Sequence, residues 1–169
     1  MRYFEDLQVG ETLTFGGLVV DAAEAADFAQ RYDPDYVPRP GTGYVHRGPQ
    51  ISPWQVAALS WKLLSDLAAA NPVEDAAFTA PGDLHWRMKV SAGDVLRVEV
   101  ELVELLPPNM RLREHGWARA KVALVTTGPA GFGAWGDDDS ELVDDVALTY
   151  FAQLSARRRE QVSIDHGLG

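Results

Sequence analysis

Residues 52–70, SPWQVAALSWKLLSDLAAA, decide the fold of this chain. Ser52 is a good N-cap, and Pro53 then takes the first helical position, where its missing N–H costs nothing. The helix is predicted to run to about Ala70, because Asn71-Pro72 ends it. Apolar side chains occupy most of its faces, and such a helix is buried by other elements rather than laid on a surface. We therefore predict a long, largely buried central helix.

One strand and one short helix are predicted ahead of the central helix. Residues 11–20, ETLTFGGLVV, have β-rich ends around Gly16-Gly17, which indicates a strand with a bulge or a bend. Asp21 then resembles an N-cap, with Glu24 three residues later as in a capping box. Apolar side chains at helical spacing predict a short helix from Ala22 to Tyr32.

Four strands are predicted after the central helix. Alternating apolar and polar residues, bounded by turns, mark residues 84–90, 95–106, 116–127 and 142–154. Short turns join consecutive strands, so we expect them to pair as a meander. This order predicts an α+β architecture, with the helix laid across an antiparallel sheet in one domain over residues 1–154. Residues 155–169 are predicted to be a loose tail.

Composition restricts the location and the partners of the chain. It has 169 residues, a formal net charge of −10 and a pI of about 4.7, which argues against nucleic acid as a partner. No apolar run approaches the length of a membrane span, the first residues do not resemble a signal peptide, and the absence of cysteine fits a reducing compartment. We therefore expect a cytoplasmic protein without a membrane partner. An anionic ligand would need a local basic patch, for which the candidates are Arg31, Arg39, Arg47, Lys62, Arg87 and Lys89.

Four segments, in order, resemble the MaoC-like dehydratase family of hotdog proteins. They are FEDLQVGE (4–11), FAQRYDP (28–34), SPW leading into AAL (52–59) and VSAGDVL (90–96). The resemblance extends from about Phe4 to Leu154. It implies a hotdog fold, in which an antiparallel sheet wraps a long helix, and reversible hydration of a trans-enoyl thioester. The expected ligand is an acyl-CoA or another acyl thioester, and no cofactor is expected.

The chain departs from the family's motif at the positions of the catalytic residues. Active members carry Asp-x-Asn-Pro-x-His, in which the aspartate and the histidine share one water molecule as acid and base. Asp33 matches the aspartate, but Asp35, Tyr36 and Pro38 replace the asparagine, the proline and the histidine. Pro53 replaces the glycine whose amide would hold the thioester oxygen, and proline has no N–H. These two losses favour a protein that kept the fold and lost or changed the reaction.

Candidate site residues follow from this resemblance. Asp33 would be the retained acid or base, and His46, in the proline-rich loop, would replace the missing base. The alternatives are a turn residue at the end of a helix for Asp33 and a solvated side chain for His46. The N–H groups of residues 54 and 55 would point toward the thioester oxygen. The expected substrate-binding residues are Tyr32, Tyr36, Tyr44, Ser52, Trp54 and Gln55, although the tyrosines are also compatible with simple packing. The four histidines lack metal-ligand spacing, so no metal site is expected.

Three functions remain open from the sequence. The first is a MaoC-like hotdog protein that binds acyl thioesters and acts as an enoyl-CoA hydratase or dehydratase with an altered dyad. The second is a non-catalytic binding or structural module, for example the inactive partner in a heterodimer with a related subunit. The third is a thioesterase, but Asp66, the one acid in the central helix, lies three turns too late for a site at its start. We expect a dimer, because one sheet over one helix leaves edges and apolar surface uncovered.

Overall fold

A computed structural model describes residues 1–39, 49–106, 114–127 and 145–159. Its helices are α1 (Ala22–Tyr32) and α2 (Pro53–Ala70), and short 3₁₀ turns lie at Phe4–Asp6 and Pro34–Tyr36. Its strands are β1 (Thr12–Val19), β2 (Ala77–Trp86), β3 (Val95–Leu106), β4 (His115–Thr127) and β5 (Asp145–Arg157). The predicted bounds of α1, α2 and β3 are confirmed.

Both helices begin with the predicted caps. The Asp21 side chain accepts a hydrogen bond from the Glu24 N–H at 2.8 Å, and the Ser52 hydroxyl accepts one from the Trp54 N–H at 3.2 Å. Each cap satisfies one of the N–H groups that the first turn of a helix leaves without an internal partner.

The five strands form one antiparallel sheet in the order β1-β3-β4-β5-β2. Strands β3, β4 and β5 form the predicted meander, but the expected pairing of β2 with β3 is wrong, because β2 pairs with β5 at the far edge. The turn at Ser91–Asp94 is present, with the Asp94 N–H donating to the Ser91 carbonyl at 3.1 Å. It does not close a hairpin. Residues 87–94 instead carry the chain past two strands, about 14 Å at the usual strand spacing.

Two strands are irregular where glycine or positive φ angles occur. The register of β1 shifts between Gly16 and Leu18, and Gly17 has a φ of 95°, so the predicted bulge is confirmed. Strand β2 starts at Ala77, seven residues before the predicted start at Leu84. The segment before Leu84 contains positive φ angles at Ala80 and Asp83, and local propensity did not indicate a strand there because pairing with β5 maintains it.

The core lies between α2 and the inner face of the sheet. Alternate residues of β3 point into it, as the pattern predicted, and Leu96, Val98, Val100 and Leu102 are each 1% exposed or less. The matching face of α2 contributes Val56, Ser60, Leu63, Leu64, Leu67 and Ala68. The opposite face of α2 is open along Trp54, Ala58, Lys62, Ser65 and Ala69. The helix is therefore covered by the sheet on one side and exposed along a narrow stripe on the other.

The end of the described chain is held in place rather than loose. Strand β5 continues to Arg157, three residues into the predicted tail. Arg158 then pairs with Glu5 at 3.1 Å, and Arg159 contacts both carboxylate oxygens of Asp6 at 2.6 and 2.8 Å. The basic residues at the end of β5 thus bind acidic residues of the first 3₁₀ turn. Within the described residues, no helix is long and apolar enough to cross a membrane.

Candidate functional site

The candidate site lies where α1 ends and α2 begins. Asp33 follows the last residue of α1, and its Oδ2 accepts a hydrogen bond from the Ser52 hydroxyl at 2.6 Å. Ser52 is completely buried and Asp33 is half-buried. The serine thus donates to a carboxylate and accepts from the Trp54 N–H, so it joins the two helices through one side chain. Asp33 is in the predicted place and is engaged in a structural contact.

The first turn of α2 offers fewer N–H groups than expected. Pro53 has no N–H, and the Trp54 N–H donates to the Ser52 hydroxyl at 3.2 Å, so donation from Trp54 to a ligand stays a prediction. The Gln55 side chain is buried, with 5% of the residue exposed, and its Oε1 has no hydrogen-bond partner among the described residues. Gln55 is therefore the residue of this turn with a buried side-chain oxygen that is unpaired within the described ranges.

Two tryptophan side chains meet at the same helix start. The rings of Trp54 and Trp86 meet edge to face at 5.3 Å between centroids, and the Trp86 indole N–H donates to the Pro53 carbonyl at 2.8 Å. Trp54 is 63% exposed and Tyr32 is 70% exposed. The sequence pattern placed Trp86 on the apolar face of its strand. Its contact with the helix start was missed, because it depends on the position of β2 at the sheet edge.

The remaining predicted aromatic residues have different surroundings. Tyr32 packs on Phe28 at 5.1 Å between ring centroids, at the exposed end of α1. Tyr36 is half-buried in the second 3₁₀ turn. Tyr44 and His46 lie outside the described residues, so the proposed partnership of Asp33 and His46 stays a prediction.

Both histidines in the described part of the chain lie on strands. His85 is exposed on β2, as its pattern predicted. His115 starts β4, and its Nε2 lies 4.0 Å from an Asp75 carboxylate oxygen, a partner that the sequence did not indicate. No group of three or more metal-ligating side chains occurs within the part of the chain that the structure describes.

Two of the cations that the sequence offered for an anionic ligand are paired with acidic residues of their own helices. Arg31 pairs with Asp27 at 3.1 Å, and Lys62 pairs with Asp66 at 2.5 Å. Arg87, which follows the last residue of β2, donates to the Thr149 hydroxyl at 3.2 Å. Arg47 lies outside the described residues.

A buried polar pair lies further along α2. Ser60 and Tyr150 are both buried, and their hydroxyl oxygens are 2.9 Å apart, which joins the middle of α2 to β5. Burial raises the pKa of Tyr150 to about 12, against the lowering effect of the Ser60 hydrogen bond. The phenol is therefore neutral at physiological pH and acts as a hydrogen-bonding group.

The structure of this chain matches solved structures, whereas its sequence matches no known family or curated protein. No protein-family model matches the sequence, and neither does any curated protein. The MaoC-like dehydratase from Rhodospirillum rubrum superposes with a TM-score of 0.69 at 20% identity, over 95% of this chain and all of the other. The (R)-hydratase from A. caviae gives a TM-score of 0.58 at 21% identity, over 89% of this chain and 97% of the other.

A third match is a Mycobacterium tuberculosis protein described as having a double hotdog fold, with a TM-score of 0.56 at 16% identity. It is matched over 94% of this chain and 45% of its own length. These likenesses establish that the chain has the α+β hotdog fold, the fold of the MaoC-like dehydratases. The fold hosts several functions, so the chemistry has to be argued from the site.

Proposed function

We propose that this chain is a MaoC-like hotdog protein that binds an acyl thioester at the start of α2, with hydration of enoyl thioesters absent or very weak. The fold and the exposed aromatic pair at the helix start support the binding part. The hydrogen bond between Asp33 and Ser52 supports the second part of the proposal, the absence of hydration. A carboxylate held by a buried serine acts as a fixed link between helices.

The expected loss of activity follows from the two missing groups. A general acid or base contributes on the order of 10²- to 10⁴-fold to a rate, and an oxyanion donor roughly 10²- to 10³-fold. The two effects need not multiply, because residues that act as one unit are not additive. Even the smaller effect leaves a poor hydratase at a site where Pro38 replaces the histidine and Pro53 replaces the glycine.

The test combines binding with turnover on one ligand. Crotonyl-CoA is titrated calorimetrically into the wild-type protein, and hydration is followed with the same preparation. We expect heat of binding and little or no hydration. Robust turnover that is abolished by both Asp33→Asn and His46→Ala, and retained by the exposed control Asp35→Asn, would establish a relocated dyad and overturn the second part of the proposal. Absence of binding would overturn the first part.

The proposal includes a second hotdog unit, supplied by another copy or by a related subunit. The sheet ends in two open edges, β1 and β2, and α2 leaves a stripe exposed that includes Trp54. The mycobacterial protein that contains two hotdog units in one chain gives a precedent for such a pair. We expect a dimer of this chain in light scattering. A monomer of about 18.5 kDa at micromolar concentration would count against this expectation.

Thioester hydrolysis has less support at this site. Asp66 pairs with Lys62 on the outer part of α2, away from the contact between Asp33 and Ser52. A carboxylate must lie within hydrogen-bond reach of the reacting group or of its water to act as a base.

A further inference from the structure

Residues 2–11 form a strap that contacts β4 and β5 and is tied to the rest of the fold at its two ends. At one end the Glu74 N–H donates to the Arg2 carbonyl at 2.8 Å, and at the other the Gly10 N–H donates to the Leu102 carbonyl at 2.7 Å. Between these ends, the backbone hydrogen bonds found among the described residues stay within the strap. A segment held mainly at two points can open locally while the rest of the fold stays intact.

Hydrogen bonds inside the strap make it a single body. The Arg2 guanidinium donates to both carboxylate oxygens of Glu11, at 2.7 and 2.9 Å, and to the Asp6 carbonyl at 3.0 Å. The Asp6 carboxylate accepts a hydrogen bond from the Tyr3 N–H at 2.9 Å. These contacts join both ends of the strap to the 3₁₀ turn between them, so the strap moves as one unit.

The strap covers apolar surface with two side chains. Leu7 is 4% exposed and belongs to the core, and Phe4 packs against the core. A Cβ at Gly116 would clash with the Phe4 ring, so the ring lies directly on the backbone of β4. A cleft of about 460 Å³ remains between Tyr3 and residues 157–159. Toward β5 the strap is therefore held by charged groups rather than by close packing.

The charged contact between the strap and β5 involves two acidic residues and two arginines. Glu5 accepts from the Arg158 side chain and from the Arg159 N–H, each at 3.1 Å, and Asp6 accepts twice from the Arg159 side chain. All four side chains are partly exposed. Such pairs are individually weak and respond directly to a change of charge.

We propose that the strap opens and closes as one unit, independently of the start of α2, and that the ion pairs of Glu5 and Asp6 with the two arginines are the latch that keeps it closed. Charge reversal or acid releases this latch. Opening uncovers the apolar surface that Phe4 and Leu7 cover in the closed state.

The response to acid follows from the carboxylates, because arginine stays protonated. Burial raises the pKa of Glu5, but the hydrogen bonds from the Arg159 N–H and the Arg158 side chain outweigh this effect and hold the pKa below 4.5. The hydrogen bond from the Tyr3 N–H, together with Arg159, holds the pKa of Asp6 below 3.8. The latch therefore stabilises the closed strap above pH 4.5 and is lost as the pH falls through the lower, folded values. Other charged groups around the strap are Arg2 and Glu11 within it, and Glu74, Asp75, Glu114, His115 and Arg157 on the elements beside it.

Hydrogen exchange of single amides in the full chain, followed by NMR, tests the proposal. The variant is Arg158→Glu combined with Arg159→Glu, which turns both attractions of the latch into repulsions. Arg31→Glu is the matched control, because Arg31 makes a similar exposed ion pair with Asp27 at 3.1 Å on α1.

Three amides distinguish opening of the strap from opening of the whole fold. Those of Glu74 and Gly10 donate across the two ends of the strap, and that of Val56 donates to the Ser52 carbonyl at 3.0 Å in the first turn of α2. We expect the double variant to speed exchange at Glu74 and Gly10 by roughly 2- to 30-fold, the range that two partly exposed ion pairs give, and to leave Val56 unchanged. The Arg31→Glu control should leave all three amides unchanged.

A compensating change and acid provide two further readouts. Adding Glu5→Lys and Asp6→Lys to the double variant should restore part of the protection, because the attractions return with their signs exchanged. In the wild type, acidification to about pH 3.5 should lower the protection factors of Glu74 and Gly10 and spare that of Val56. Equal acceleration of all three amides in the double variant, or none at Glu74 and Gly10, overturns the proposal. Protection of these two amides that persists to about pH 3.5 overturns the release by acid.

Discussion

Replacement of Ser52 by alanine separates the structural role of Asp33 from a catalytic one. The serine hydroxyl makes two hydrogen bonds, one from the Trp54 N–H at 3.2 Å and one to the Asp33 carboxylate at 2.6 Å. Loss of an N-cap costs about 1 kcal/mol, and loss of a hydrogen bond to a charged group costs about 1.5–3 kcal/mol. Because Asp33 is half-buried, its carboxylate regains part of its hydration, so we expect a total of roughly 2–3 kcal/mol.

Urea unfolding at fixed protein concentration measures this cost. For a chain of this length the loss corresponds to a fall in Tm of roughly 4–12 °C. Ser65→Ala is the matched control, because the Ser65 hydroxyl makes one exposed bond to the Trp61 carbonyl at 2.9 Å in the same helix, and it should cost well under 1 kcal/mol. If Ser52→Ala is as stable as Ser65→Ala, the serine does not hold the two helices together and the argument from its contacts is wrong.

Two predictions concern the pH dependence of stability. The side-chain hydrogen bonds from Arg2 hold the pKa of Glu11 below its usual value of 4.5, so the pair stabilises the fold above that pH and its contribution disappears as the pH falls through the lower, folded value. Glu11→Gln should therefore flatten the loss of unfolding free energy below about pH 4.5, and acid profiles parallel to those of the wild type would refute this. Burial raises the pKa of Tyr150 from 10.0 to about 12, so the neutral phenol stabilises the fold below pH 10 and this contribution is lost as the pH rises toward 12. Tyr150→Phe should remove that alkaline loss, and a phenolate spectrum that titrates fully near pH 10 in the folded wild type would contradict the assignment.

The parts of the fold that local chemistry determines were predictable from the sequence. Ser52-Pro53 and Asn71-Pro72 fix the ends of α2, and the strict alternation of β3 fixes its inward face. The position of β2 was not predictable in this way. Its pairing with β5 is a long-range contact, and the turn at Ser91–Asp94 is equally compatible with a hairpin and with the crossing that the structure has.

The same distinction applies to the site. The resemblance located Asp33 and the start of α2, but the hydrogen bond between Asp33 and Ser52 joins residues 19 apart in the chain and appears in no local pattern. The buried Oε1 of Gln55, which has no partner among the described residues, was likewise not predictable, because burial and pairing are properties of the packed structure. Sequence reasoning named these residues, and the structure adds the hydrogen bonds that join Trp54, Ser52 and Asp33.

The Asp33 contact also shows why one aspartate does not imply a hydratase. A structural role needs only a hydrogen-bond acceptor for the Ser52 hydroxyl, and an asparagine carbonyl supplies one, so Asp33→Asn should preserve most of the stability that Ser52→Ala removes. A general base needs an ionisable carboxylate, and the same substitution removes it. If Asp33 acts in catalysis, Asp33→Asn therefore abolishes turnover while the protein keeps most of its stability. If Asp33 only links the helices, the wild type has no turnover that the substitution could remove. On the proposed function, Asp33 persists because it connects α1 to α2 across a buried serine, and the site keeps its shape for a ligand without the acid–base pair.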